Sequence, residues 1–166
     1  DTTTLSFTTA DETSPTISSF SPADDATNVE TTSNIILNFS EAVDVETGSI
    51  VIYKESDDSI VETIDVSSSQ IIGTGSTQIT IDPSSELAED TEYYVQIDAT
   101  VFDDSSSNSY PGINDTTTLS FTTDGPEWTE LLGTSEHDYA KSITIGSDGC
   151  IYVTGQTEGD LDGQKN

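Results

Sequence analysis

Arginine is missing from the 166 residues and lysine occurs three times, against 32 acidic side chains, for a formal net charge of −29. Such a chain cannot neutralise phosphates, which excludes nucleic-acid binding. A polybasic membrane-surface anchor is excluded on the same ground. No apolar run approaches the length of a membrane-spanning helix. Methionine is missing too, even at position 1, and no basic-then-apolar leader opens the chain, so the sequence reads as a piece of something longer. A single cysteine, Cys150, excludes an intramolecular disulfide and with it a disulfide-stapled scaffold. A single histidine, His137, sits between Glu136 and Asp138 and cannot build a His-rich zinc site alone. Serine is plentiful, yet no G-x-S-x-G elbow surrounds one, so a serine triad is not supported.

What is present points to strands. Hydrophobic residues are 31% of the chain and are mostly Ile, Val, Leu, Phe and Tyr, while Ser and Thr make up roughly 30%. Charge this high raises the prior for disorder; regular alternation argues against it. Asn34 to Phe39 places Ile35, Leu37 and Phe39 on one face. Thr91 to Asp98 places Tyr93, Val95 and Ile97 on one face and Glu92, Tyr94, Gln96 and Asp98 on the other. Thr16–Phe20, Ile50–Tyr53, Ile60–Val66 and Gln78–Ile81 read as further strands, and Leu119 and Phe121 point inward from the last. Ser21 to Asn28 reads as a turn-rich loop, and Asp82 to Leu87 as a helical turn or tight loop. Gly73-Thr74-Gly75 lacks the lysine and helix of a phosphate loop and is read as a turn. Short strands at about 8–12-residue spacing predict an all-β sandwich.

An internal repeat sets the organisation. Asp1-Thr2-Thr3-Thr4-Leu5-Ser6-Phe7-Thr8-Thr9 recurs unchanged at Asp115–Thr123, an offset of 114 residues. Residues 1–10 are therefore expected to be the last strand of a preceding repeat, 12–124 a complete sandwich, and 125–166 a different module.

Several motifs carry a family resemblance. They are Pro15 to Val29 (P-x-I-x-x-x-x-P-x-x-x-A-x-x-V), Leu37-Asn38-Phe39-Ser40-Glu41-Ala42-Val43, Leu87-x-x-x-Thr91-x-Tyr93-x-Val95, Asp104-x-x-x-Asn108, and Gly112-Ile113 through Phe121-Thr122-Thr123. In this order they resemble a bacterial Ig-like domain, the kind found in tandem in S-layer proteins and large surface adhesins. One departure is Ser107, where the family has glycine before the asparagine. The remaining segment differs in kind: Trp128, Leu132-Gly133-Thr134, Asp138-Tyr139-Ala140, Ile143-x-Ile145, Asp148-Gly149-x-Ile151-Tyr152-Val153-x-Gly155. It resembles the first blade of a bacterial β-propeller of the SBBP repeat type, incomplete here because one blade cannot close a ring. The resemblances imply an all-β chain: an Ig-like β-sandwich followed by a partial β-propeller blade. They imply a structural spacer of a large extracellular or cell-surface bacterial protein, not an enzyme. Acidity and Ser/Thr richness fit that compartment, since salt and divalent cations there screen self-repulsion.

Calcium is the sharpest chemical expectation, because hard cations take clustered carboxylates held by loops. The candidate ligands are Asp11 and Glu12 at the junction between repeats, Asp24 and Asp25 in the first inter-strand loop, and Asp103, Asp104 and Asn108 before the last strand. Asp160-x-Asp162-Gly163 has a fragment of EF-hand spacing but reads as a turn. Glu41 and Asp44 could be imagined as a glycosidase pair, but nothing supplies a substrate cleft. Tyr93, six residues after Leu87, is placed like the tyrosine of a tyrosine corner, its hydroxyl bonded to nearby backbone. Without a positive neighbour Cys150 is expected to be an inert thiol, with an intermolecular disulfide left open. The expected partners are neighbouring repeats of the same protein. The alternatives are an adhesive module that binds a surface glycan or protein, and a filament subunit in which strand 1–10 completes a neighbour's sheet by β-addition.

Overall fold

Period-two alternation needs a ladder to satisfy its backbone and a second layer to bury its apolar face. Among the described residues, the chain finds both in its first part and only the ladder in its second. The computed structural model describes residues 9–126, 137–146 and 150–158, and the chain divides into two units, Asp1–Pro126 and Glu127–Asn166. The described residues form strands joined by turns and loops, with no helix among them.

Ten strands build the first unit: β1 (Ile17–Ser21), β2 (Ala26–Val29), β3 (Ile35–Val45), β4 (Ser49–Lys54), β5 (Ser59–Asp65), β6 (Ile71–Ile72), β7 (Ser76–Ile81), β8 (Glu92–Ile97), β9 (Phe102–Asp104) and β10 (Ser120–Thr123). One sheet runs β1-β3-β7-β6, with β9 also paired to β3; the other runs β2-β10-β8-β4-β5. The pairings are antiparallel except β2 with β10, which is parallel. The register sets Leu37 against Ile79 and Ile35 against Ile81 in one sheet, and Ile50 against Ile97 and Ile52 against Val95 in the other. All eight are buried, and with Phe39, Phe102, Leu119 and Phe121 they form one cluster fed by both sheets. Each such side chain stabilises the fold by about 1.5–3 kcal/mol of transfer free energy.

Local details follow from the same side chains. Ala88 donates its N–H to Tyr93 Oη at 2.9 Å, the backbone bond expected of a tyrosine corner. Tyr94 lies on the opposite parity from Tyr93 yet is buried, because it stacks on Tyr53 at 4.9 Å and 8°. Its hydroxyl donates to Asp58 Oδ1 at 3.0 Å. Gly73 and Gly75 have φ of +109° and +76°, as the turn reading requires, and a Cβ at Gly73 would run into the Gln78 carbonyl.

Two readings change and a third, helical turn or tight loop, resolves to the loop. Ala26–Val29 is a strand, not loop, because it docks in parallel on β10 although only Val29 is buried. Phe102–Asp104 is a short strand on β3. Asp82–Leu87 makes bends without a helical turn: Ser84 donates its N–H to the Glu62 carboxylate at 3.0 Å and Leu87 donates to the Thr31 carbonyl at 2.9 Å. Those donors are engaged outside the segment, so no i→i−4 ladder forms.

In the second unit β11 (Asp138–Ile145) and β12 (Ile151–Thr157) pair antiparallel, with Ile143 against Val153 and Ile145 against Ile151. Ile143, Ile145, Ile151 and Val153 are all exposed, as are His137 and Cys150. Among the described residues these two strands form a sheet of their own. Residues 1–8, Trp128, the Asp148-Gly149 turn and Asp160-x-Asp162-Gly163 lie outside the described residues.

Candidate metal centre

The long strand β3 carries core residues at every second position: Ile35, Leu37, Phe39, then Val43. Glu41 occupies the same parity and is half-buried between the exposed Ser40 and Ala42. On β9, Asp104 shares the parity of buried Phe102 and is itself only 5% exposed. Two carboxylates thus follow two packed aromatics, Phe39 and Phe102, whose centroids are 5.2 Å apart. Tyr110 closes edge-on to Phe39 at 5.4 Å. Burial, with a smaller push from the Asp115 charge, raises the Tyr110 hydroxyl to about 12.

Asp11, on the segment leading into β1, is the third acid. One carboxylate oxygen from each of Asp11, Glu41 and Asp104 lies within 4.8 Å of the others. Oxygens bound to one calcium at 2.3–2.6 Å lie at most about 5 Å apart, so the spacing fits a shared hard cation. Asp104 is already well used. Its Oδ1 accepts N–H bonds from Ser106 and Asn108, both at 2.8 Å, and its Oδ2 accepts the Asn108 amide at 2.8 Å. These bonds, the Asn108 side chain first, hold its carboxyl below the usual 3.8 and outweigh the opposing effect of burial. Oδ2 keeps a lone pair for a further partner.

Asn108 is the bridge. Its Nδ2 also donates to the Asp11 carbonyl at 3.1 Å, tying the incoming segment to a loop 97 residues away. Asp11 Oδ1 meanwhile accepts from Thr13 N–H at 3.0 Å. Ser107 supports the loop from a left-handed conformation, φ +66°, the region that favours the family's glycine at this position.

The other expected ligands go elsewhere. Glu12 is exposed and stands outside this group. Asp24 and Asp25 bind the start of β10: Ser120 donates its N–H to Asp24 Oδ1 and its hydroxyl to Asp25 Oδ1, both at 3.0 Å. Asp103 pairs with Asp44 across the β3–β9 ladder, on the opposite parity from Asp104, and its Oδ1 is buried without a hydrogen-bond partner. Glu41 is the group member that sequence reading missed. Its signal was parity: an acid at a core position of an alternating strand needs a partner or the end of the core.

The geometry defines an all-β, Ig-like sandwich whose acidic group joins Glu41 of β3 to Asp11 and Asp104. Residues 11–123 match the model of the bacterial Ig-like domain, more than half of the chain, and the protein belongs to that family. Residues 127–162 match the β-propeller repeat. No curated protein matches the chain. Among solved structures it is similar to CopC from Methylosinus trichosporium OB3b, with 17% identity and a TM-score of 0.49, over 70% of this chain and 99% of that one. It is also similar to the S-layer protein rSbsC, with 13% identity and a TM-score of 0.45, over 84% of this chain and 19% of that one.

Proposed function

We propose that this chain is a non-catalytic spacer segment of a larger extracellular or cell-surface bacterial protein, in which the Ig-like sandwich sets the direction of its neighbours. The observation that carries this reading is the Asn108 bridge, which fixes the incoming chain at Asp11 to the Asp104 loop. A spacer transmits orientation only if its joints are held, and a side-chain contact that fixes the entering segment supports such a joint. The acids also favour a structural role. Asp57, Asp65, Asp104 and Asp115 are all held below the ordinary carboxylate value by turn N–H and hydroxyl donors. An acid–base pair needs two groups pushed apart, with one raised; these four all move down. A wide-open depression of about 570 Å³ lies beside Pro22, Asn28, Val29 and Ile36. Tyr53 and Tyr94 stack on each other instead of offering a flat sugar platform, which weakens the adhesive alternative.

Calcium is the finer part of the proposal. An ion held by Asp11, Glu41 and Asp104 would offset their mutual repulsion and add to the tether made by the Asn108 amide. The test is the melting temperature of the full 166-residue chain in chelator, calcium, magnesium and matched monovalent salt. A calcium-specific rise that Glu41→Gln removes supports the ion. Equal responses to all salts mean plain screening and leave a hydrogen-bonded joint. Proteolysis tests that joint independently: Asn108→Ala should speed cleavage within residues 9–16, and an unchanged rate would remove the spacer argument.

A further inference from the structure

The position of β10 inside its sheet makes the sequence repeat a structural matter. β10 lies between β2 and β8, paired on both edges, with Phe121 opposite Tyr93 and Ser120 opposite Tyr94. Leu119, Ser120, Phe121 and Thr123 are each no more than 5% exposed. The channel recognises this strand in detail. The Phe121 ring packs on Tyr93 at 5.9 Å. Ser120 is held by Asp24 and Asp25. The Thr123 hydroxyl donates to the Ala88 carbonyl at 2.6 Å and accepts from Thr91 N–H at 3.0 Å. Upstream, Asp115 Oδ1 accepts from the N–H groups of Thr117 and Thr118 at 2.9 and 2.7 Å.

Every side chain in that account has an identical counterpart nine residues or fewer from the first residue: Asp1 for Asp115, Leu5 for Leu119, Ser6 for Ser120, Phe7 for Phe121 and Thr9 for Thr123. The next position, Asp124, makes two further bonds through its backbone alone, donating to the Val29 carbonyl at 2.8 Å and accepting from Asp90 N–H at 2.9 Å. Ala10 carries the same backbone groups at the same offset. Thr9 and Ala10 are exposed in this structure.

We propose that the β10 channel is a strand-acceptor site for residues 1–10 of a second copy of this chain. While β10 is seated, the chain's own strand wins, because the contacts are equal and its tether gives it an effective concentration in the millimolar range. When β10 leaves, the second copy supplies the same strand in the same register. Thr123 is three residues from the end of the first unit, so a load applied through the second unit reaches β10 before any other strand of the sandwich. Because donor strand and acceptor channel are different segments of each chain, the association is head-to-tail and propagates.

The test uses variants of the 166-residue chain. Phe121→Asp disables the resident strand and leaves the donor intact; Phe7→Asp with Phe121→Asp disables both. The proposal expects Phe121→Asp to unfold cooperatively and to at least double in mass by light scattering as concentration rises. The double variant should stay unfolded and monomeric, and a synthetic peptide of residues 1–10 should restore its cooperative unfolding where a scrambled peptide does not. Three results would overturn it: Phe121→Asp as unfolded as the double variant, Phe121→Asp folded as a monomer, or rescue by the scrambled peptide.

Discussion

The same residue types meet opposite fates in the two units. Ile50, Ile52, Ile79 and Ile81 of the sandwich are fully buried, whereas Ile143 and Ile145 of β11 are 70% and 72% exposed. Ile79 and Ile81 flank Thr80 just as Ile143 and Ile145 flank Thr144, and all six isoleucines sit in antiparallel ladders. A ladder satisfies the backbone, but only a second layer takes the apolar face out of water. The sandwich supplies that layer from its own chain, because its strands are numerous enough to make two sheets. The β11–β12 ribbon has its hydrogen bonds and its pattern but no covering layer among the described residues, and a two-stranded ribbon alone is marginal in water. Alternation therefore reports which face is meant to be covered, and not whether the cover lies within a given stretch of chain.

The sharpest way to break this comparison is to remove one large side chain from each unit. Phe102→Ala should cost the sandwich about 3–5 kcal/mol, because it opens a cavity against Phe39 in a fully buried cluster. Ile143→Ala should change denaturant stability by no more than about 0.5 kcal/mol, since that side chain loses little burial. Comparable losses at the two sites would mean that β11 is covered after all. A middle-sized effect is expected at the rim of the sandwich core. The Asp104 carboxyl is held below 3.8 in the folded chain, so its contribution is full above that value and is lost as pH falls through the folded value. Asp104→Asn should therefore be less stable than the natural chain at neutral pH. The gap should close in acid, between 3.8 and the folded value; a gap independent of pH would show that the charge is not what matters. The smallest effect is expected at Ser107. Glycine there relieves a left-handed side chain but loosens the unfolded chain, so Ser107→Gly should gain at most about 1 kcal/mol by chemical denaturation. A loss of stability would mean that the serine side chain holds the Asp104 loop.

Much of the sandwich was legible in advance. Asn34–Phe39 and Thr91–Asp98 showed their inner faces directly, because each inward residue is large and apolar or aromatic and most outward ones are polar. The role of Tyr93 was legible for the same reason, its partner lying five residues away. β2 was not legible: Asn28 adopts a left-handed φ of +56° and only Val29 is buried, so nothing local marks a strand. β9 is three residues long, and its pairing to Val43–Val45 is decided by β3 continuing past Phe39. The candidate site was half legible. Asp11, Asp104 and Asn108 were expected together, yet in a chain with 32 acids proximity in loops carried little weight. Asp24, Asp25 and Asp103 were grouped with them by loop position; Ser120 engages Asp24 and Asp25, and Asp103 takes the opposite parity from Asp104.

The sequence by itself determined the strand faces, the turns, the all-β class, the bacterial Ig-like and propeller-repeat pattern, and the nine-residue identity between Asp1–Thr9 and Asp115–Thr123. Those features follow from residue spacing and from preferences that act over a few residues. Only the tertiary structure decided that β10 lies inside its sheet, that β2 runs parallel to it, and that Glu41 joins Asp11 and Asp104. Such outcomes rest on contacts between residues far apart in sequence. Alternation fixes which way a side chain points, but burial shared among distant strands selects what it points at.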